Sequence, residues 1–195
     1  MPLSSPVARK PTTTRRITCQ GFEREDGLWD IEAHLIDTRT YAYTTPDRGE
    51  VKPGMPGHEM WLRWTVAADL VIRDVEVVSD TTPYPTSCPK ATTAYCKLIG
   101  LDVGKGFLKK VQEVIPRDEG CTHLHTLLQA AANATMQTLA GSLWKSEAGG
   151  KDRLFGGNVD GRPALLGSCL SYSPRSEVVA RMWPAHYTGK ADSGD

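Results

Sequence analysis

Three points in the chain carry side chains suited to a soft or borderline metal ion: His58, Cys88, and the cluster Cys121, His123 and His125. Each stands at the expected mouth of a regular element. His58 stands one residue ahead of a strand-like run, Cys88 after a Pro-rich turn and before a helix-like run, and Cys121 after a glycine that opens a longer helix. Element ends are rigid and partly open, so residues there can converge. Zinc and iron accept imidazole and thiolate together, and three protein ligands with one open position form the catalytic pattern for zinc. His58, Cys88 and Cys121 supply that count, although they lie too far apart in sequence for a local finger of the C-x2-C kind. The plain alternative is that the two cysteines are small packed residues and His58 a loop histidine. His123 falls in the first turn of the helix that Cys121 opens and is assigned to proton transfer. His125, four residues after Cys121, either complements His123, one of the two serving as a fourth ligand and the other as the proton carrier, or tops a buried stripe.

Acid–base chemistry has further candidates. Asp30, Glu32 and His34 share one parity of a strand-like run, and Glu59 follows His58. His34, Glu32 and Glu59 join His123 as candidate catalytic residues, with a solvated strand face as the competing reading. Arg24 and Arg63 are placed to hold a substrate carboxylate by paired hydrogen bonds. Trp29, Tyr41 and Tyr84 are placed to wall an aromatic ligand, although strand aromatics also serve simple sheet packing. No Gly-x-Gly-x-x-Gly after a strand, no Walker loop and no nucleophile elbow occurs, which speaks against nucleotide cofactors and serine hydrolysis.

Lys+Arg and Asp+Glu are equal at 23 each in 195 residues, so the net charge is zero and a nucleic-acid partner is not expected. No apolar run is long enough to span a bilayer. The N-terminal stretch lacks the apolar core of a secretory signal, so a cytoplasmic location is expected. There the five cysteines read as packed thiols or ligands, not as a disulfide framework. The basic residues Arg9, Lys10, Arg15 and Arg16 read as part of a solvated start.

These residues need elements to position them. Residues 1–14 read as a disordered tail, 15–187 as one domain and 188–195 as a second tail. Arg15–Glu25 reads as a strand with a bulge at Gly21, and Asp26-Gly27 as a hairpin turn. In the next run Trp29, Ile31, Ala33 and Leu35 alternate with Asp30, Glu32 and His34, a half-buried strand. Thr44–Gly57 reads as a loop, a candidate lid or pocket wall. Met60, Leu62, Trp64 and Val66 mark another strand; Ala67–Asp69 turns the chain into a further one marked by Val71, Val75 and Val77.

After Pro85 the period changes. A first helix follows Cys88, with Ala91, Ala94, Tyr95 and Leu98 on its apolar stripe. A second, capped by Asp102, ends at Pro116. A third runs from Cys121 to Trp144. A Gly-rich segment and a short terminal pair, Ala164–Tyr172 and Glu177–Trp183, complete the chain. Strands followed by helices predict an α+β fold: an antiparallel sheet of about four to six strands with three helices on one face.

The stretch from PGHEMWLRWTVAADLVIRDVEVV to CTHLHTLL resembles iron–sulfur scaffold proteins of the IscU/NifU type. His58 takes the place of the first cysteine there, and Cys88 and Cys121 take the other two. The family's neighbouring aspartate is missing, since Glu59-Met60 follows. That departure implies a fixed mononuclear ion in place of a cluster. A wider resemblance rests on Arg24-x-Asp-Gly-Leu-Trp-Asp-Ile-Glu-Ala-His-Leu35, His58-Glu-Met60, Pro83-x-Pro-x-x-Cys88 and Cys121-Thr-His-Leu124. These motifs resemble a bacterial family of domains of unknown function, which implies a role in aromatic-compound catabolism. The resulting expectation is a lyase that cleaves a C–C bond in a small aromatic substrate. It uses zinc, with iron as the alternative, and no nucleotide cofactor; a homo-oligomer is left open. A non-catalytic metal or iron–sulfur carrier and a cofactor-independent acid–base lyase are the competing readings.

Overall fold

The computed structural model describes residues 3–104, 106–145, 162–163 and 165–189. The chain divides into two compact units, Met1–Val103 with Phe107–Thr135, and Gly104–Gly106 with Met136–Asp195.

The first unit is built on a four-stranded antiparallel sheet in the order β1-β2-β5-β6: β1 is Thr13–Glu23, β2 Trp29–Arg39, β5 Pro56–Val66 and β6 Ile72–Thr81. The predicted Asp-Gly hairpin joins β1 to β2, with Gly27 at φ 79°, a conformation that costs glycine least. Gly21 pairs in regular register with Ile31, so the expected bulge is not there. The sheet's register shifts fall instead at Asp37/Thr38, Glu59/Met60 and Thr65/Val66. Just before β1, the carbonyls of Pro11 and Thr12 accept hydrogen bonds from Thr40.

The period-2 pattern orients the sheet as expected. Trp29, Ile31, Ala33 and Leu35 of β2 and Met60, Leu62, Trp64 and Val66 of β5 are all buried. On this face Trp64 meets α1 (Phe107–Val114) through an edge-on contact with Phe107. It meets α2 (Thr122–Lys145) through an Nε1–H bond to Thr135 Oγ1 of 3.0 Å. Leu124, Leu127, Leu128 and Ala131 of α2 are also buried, the apolar stripe read from the sequence. β6 is an edge strand and its valines are only partly covered, with Ile72 its buried anchor.

Three expectations change. The stretch read as a loop holds a small hairpin, β3 (Tyr43–Thr45) and β4 (Gly49–Val51), whose turn is closed by the Arg48 amide donating to Thr45 Oγ1. The helix after Cys88 is a 3-10 helix, Cys88–Leu98. Pro89 removes one amide, and the Thr92 and Thr93 hydroxyls donate to carbonyls three residues back, which suits the tighter winding. Tyr95 and Leu98 of the expected stripe, three apart, are its buried positions, and Ala91 and Ala94 are partly covered. Asp102 does not cap α1, which starts at Phe107; it pairs with Val71 as an isolated bridge.

In the second unit, Glu177–Met182 forms α3. Its N-cap Ser176 accepts from the Val179 amide, a local bond that sets the helix start. Leu166, Val179 and Trp183 form a small apolar cluster with Tyr172 and Tyr187. The Gly-rich segment after α2 lies outside the described residues.

Candidate functional site

The alternation in β2 continues one step past its apolar run. Asp37 has the parity of Trp29, Ile31, Ala33 and Leu35, so its carboxylate points to the helix-covered face. Register then builds a row across three strands: Arg15 of β1 pairs with Asp37 of β2, which pairs with His58 of β5. His58 lies inside β5 and not ahead of it, because the strand begins at Pro56. Arg15 donates from Nε and an Nη to both Asp37 oxygens, each at 2.7 Å.

His123, in the first turn of α2, closes the group. Its ring stacks on His58 with centroids 3.8 Å apart. Asp37 Oδ2 is 3.3 Å from His58 Nδ1 and 3.6 Å from His123 Nε2. Asp37, His58 and His123 each offer a ligand atom within 4.8 Å of the others, and all three are half-buried.

Burial pushes both imidazoles below their ordinary pKa. For His58 the Asp37 carboxylate opposes that push and Arg15 adds to it; for His123 the neighbouring His58 and Arg15 add to it. Burial pushes Asp37 up, but the Arg15 hydrogen bonds and charge, with the two histidines, together hold it below the usual carboxylate range. The site at neutral pH is therefore one carboxylate and two neutral imidazoles, the protonation state that metal ligands require. In the metal-free protein the unfolded chain takes up protons at the ordinary histidine pKa of 6.5, above that of the folded sites. The stability held by neutral His58 and His123 is thus full above 6.5 and lost as pH falls through the lowered folded values. Urea melts at successive pH values should show that loss, and a His58→Gln/His123→Gln double variant should flatten it.

A cleft of about 560 Å³ opens beside these histidines. Its lining includes His58 and Met60 of β5; Pro83 and Tyr84; Cys88, Lys90 and Ala91 of the 3-10 helix; and Cys121 and His123 at the start of α2. The three residues predicted as ligands, His58, Cys88 and Cys121, thus line one cleft together with the predicted proton carrier His123 and the predicted substrate wall Tyr84. The hairpin β3–β4 contributes nothing to that lining, so the expected lid or wall is not found there among the described residues.

A second device holds the two walls of the cleft. Tyr95, fully buried on the 3-10 helix, accepts the Cys121 amide at 3.0 Å, and its hydroxyl lies 3.1 Å from the Cys121 carbonyl. His125 Nδ1 donates to the same carbonyl at 2.9 Å. His125 thus ties the start of the helix, a role the sequence did not suggest, and the cleft lining includes His123 and not His125. Gly120 is required by the close approach, since a Cβ there would stand 2.5 Å from His125 Cε1. Gly120→Ala is expected to lower stability by about 1–3 kcal/mol, as overpacking does. A denaturant melt reads this, and a midpoint equal to wild type would show that the contact carries nothing.

Other sequence-predicted residues lie elsewhere. His34, Glu32, Glu59 and Arg63 are on the opposite face of the sheet. His34 stacks on Trp61 with centroids 3.7 Å apart, and its Nε2 is 3.0 Å from Glu59. Arg63 pairs with Glu76 and, at 3.8 Å, with Glu32. Arg24 pairs with Asp26 and Asp30. These charges satisfy one another, as a solvated strand face does. Trp29 is a core residue, only 7% exposed, and the exposed Tyr41 sits near the Arg39 guanidinium. None of these residues lines the cleft.

Sequence reasoning missed Asp37 and Arg15. A charged residue on the core parity of β2 was the available signal; Arg15 was hidden in what read as a solvated start.

No helix among the described residues is long and apolar enough to cross a membrane. No curated protein and no solved structure matches the chain at significance. A family model does match, over residues 13–137, a span that holds Arg15, Asp37, His58, Cys88, Cys121 and His123. The sheet, the histidine pair and the cleft are thus all within the matched region, and the chain belongs to the family described as Protein of unknown function (DUF2889).

Proposed function

We propose that the chain is a small-molecule lyase of aromatic-compound catabolism that works in this cleft with one divalent ion, zinc or else iron. The observation that carries the reading is that His58, His123, Cys88 and Cys121, drawn from three elements, meet at one cleft that also exposes Tyr84. When bound, the ion supplies positive charge where an oxyanion develops. The chain supplies the rest. Tyr84, Pro83, Met60 and Ala91 offer an aromatic ring an apolar wall, and titratable cleft groups move the proton.

Retro-aldol release of an aldehyde fits these means and needs no oxidant. The substrate's hydroxyl proton passes to a base, the C–C bond breaks to leave the aldehyde, and the resulting enolate takes a proton back at carbon.

The test is aldehyde release from a panel of aromatic β-hydroxy carbonyl compounds by zinc- and iron-loaded protein. Release that depends on the ion supports the reading; metal-loaded protein that releases none from any member rejects it. A second reading, a thiol-ligated iron–sulfur carrier, is favoured by Cys88 and Cys121 lining the same cleft. It predicts sulfur-to-iron charge-transfer bands in the visible spectrum of protein reconstituted with iron and sulfide, and no turnover.

A further inference from the structure

We infer that the ion is held by Asp37, His58 and His123, with both cleft thiols outside the ligand set and Arg15 clamped behind the carboxylate. This deepens the metal-dependent reading above and rests on it, but its test reads metal and not turnover.

The distances carry the assignment. Two nitrogen or oxygen ligands about 2.0–2.1 Å from one zinc, at the tetrahedral angle, stand about 3.3–3.4 Å from each other. Asp37 Oδ2 lies 3.3 Å from His58 Nδ1 and 3.6 Å from His123 Nε2. The carboxylate oxygen is already spaced from each imidazole nitrogen as ligands of one ion are, while the two rings, stacked with centroids 3.8 Å apart, must splay for both nitrogens to face it. They come from β2, β5 and the first turn of α2. The strand pair is fixed by sheet register, and the start of the helix is tied to the 3-10 helix by the Tyr95 hydroxyl at Cys121.

The thiols are placed differently. Neither Cys88 nor Cys121 belongs to the converging group. Cys121 Sγ lies 3.8 Å from His123 Nδ1, the ring nitrogen other than the one near Asp37. That is the position of an outer partner that orients a ligating imidazole through its second nitrogen. Arg15 does the same for the carboxylate. Because it occupies both oxygens, Asp37 is left as a single-point ligand.

Charge then defines the exogenous ligand. The Arg15 and Asp37 charges cancel and ligating imidazoles are neutral, so a bound divalent ion would add two positive charges at the histidine end of a cleft that Lys90, Asp118 and Glu119 also line. An anionic oxygen donor, such as an enolate, carboxylate or hydroxamate, fits the open positions. Two imidazoles and one carboxylate suit zinc or ferrous iron better than calcium or magnesium, which take oxygen ligands.

The experiment uses the full chain and zinc alone, with binding followed by calorimetry and elemental analysis, and folding checked by circular dichroism. Wild type should bind about one equivalent of zinc, since the three ligands make a single site. Asp37→Ala, His58→Ala and His123→Ala should each lose it while folded. Cys88→Ser should bind as wild type does, and Cys121→Ser should bind about 10- to 100-fold more weakly, as loss of an outer partner does. Loss of zinc from Cys88→Ser or Cys121→Ser with Asp37→Ala still loaded would overturn the assignment, as would a wild type that takes up no zinc. Zinc bound by these three residues without turnover on any substrate would remove the lyase reading alone and leave this inference standing.

Discussion

Asp37→Ala is expected to lower aldehyde release by zinc-loaded protein by at least about 10²- to 10³-fold. A Lewis acid supplies several kcal/mol at a developing oxyanion, and each 1.36 kcal/mol is a factor of ten in rate. The variant removes the one charged ligand, so two neutral imidazoles are left to hold the ion. Its fold should survive. Arg15 loses its partner, but its side chain is 42% exposed and returns to water at small cost. Asp37→Asn sharpens the result. The amide retains a hydrogen-bonding oxygen of similar size but lacks the charge, so it should also lose the ion. Initial rates with zinc at fixed concentration measure this. A rate within threefold of wild type would show that the carboxylate has no part in the chemistry.

Trp64→Ala is expected to destabilise the first unit by about 3–5 kcal/mol, the cost of truncating a large aromatic residue in a core. Trp64 is fully buried, meets the Phe107 edge at 5.6 Å between centroids, and donates to Thr135 Oγ1. Thr135 keeps its own bond to the Ala131 carbonyl, so the loss is mainly packing and one Nε1–H contact. Trp61, one position earlier, is the internal control: it is 44% exposed on the other face of the same strand. Its removal should cost far less, chiefly the stack on His34. Equal urea midpoints for the two variants would contradict the assignment of faces.

The contrast between Trp61 and Trp64 also shows what a sequence reader can see. Alternation is a local signal, so it identified the core face of β2 and β5 and the stripe of α2. The same signal contained Asp37, but a lone carboxylate at a strand end looks like a strand end. Its meaning depends on Arg15 and His58, which only register brings beside it. The row Asp30, Glu32, His34 was visible as a shared face. That it lies across the sheet from His58 follows from parity across two strands, and reading the two runs separately merged them into one site. Cys88 and Cys121 were correctly placed at the mouths of elements, whereas their relation to His123 depends on the Tyr95 contact to the start of α2. The 3-10 winding after Cys88 arises from Pro89 and two threonine hydroxyls, and a helical period alone does not distinguish it from α.

The most direct test of the centre is X-ray absorption at the zinc edge on protein loaded with one equivalent of zinc. The first shell should be nitrogen and oxygen at about 2.0–2.1 Å, with the outer-shell scattering of two imidazoles and no sulfur. A sulfur shell at about 2.3 Å would place Cys88 or Cys121 on the ion and contradict that ligand set.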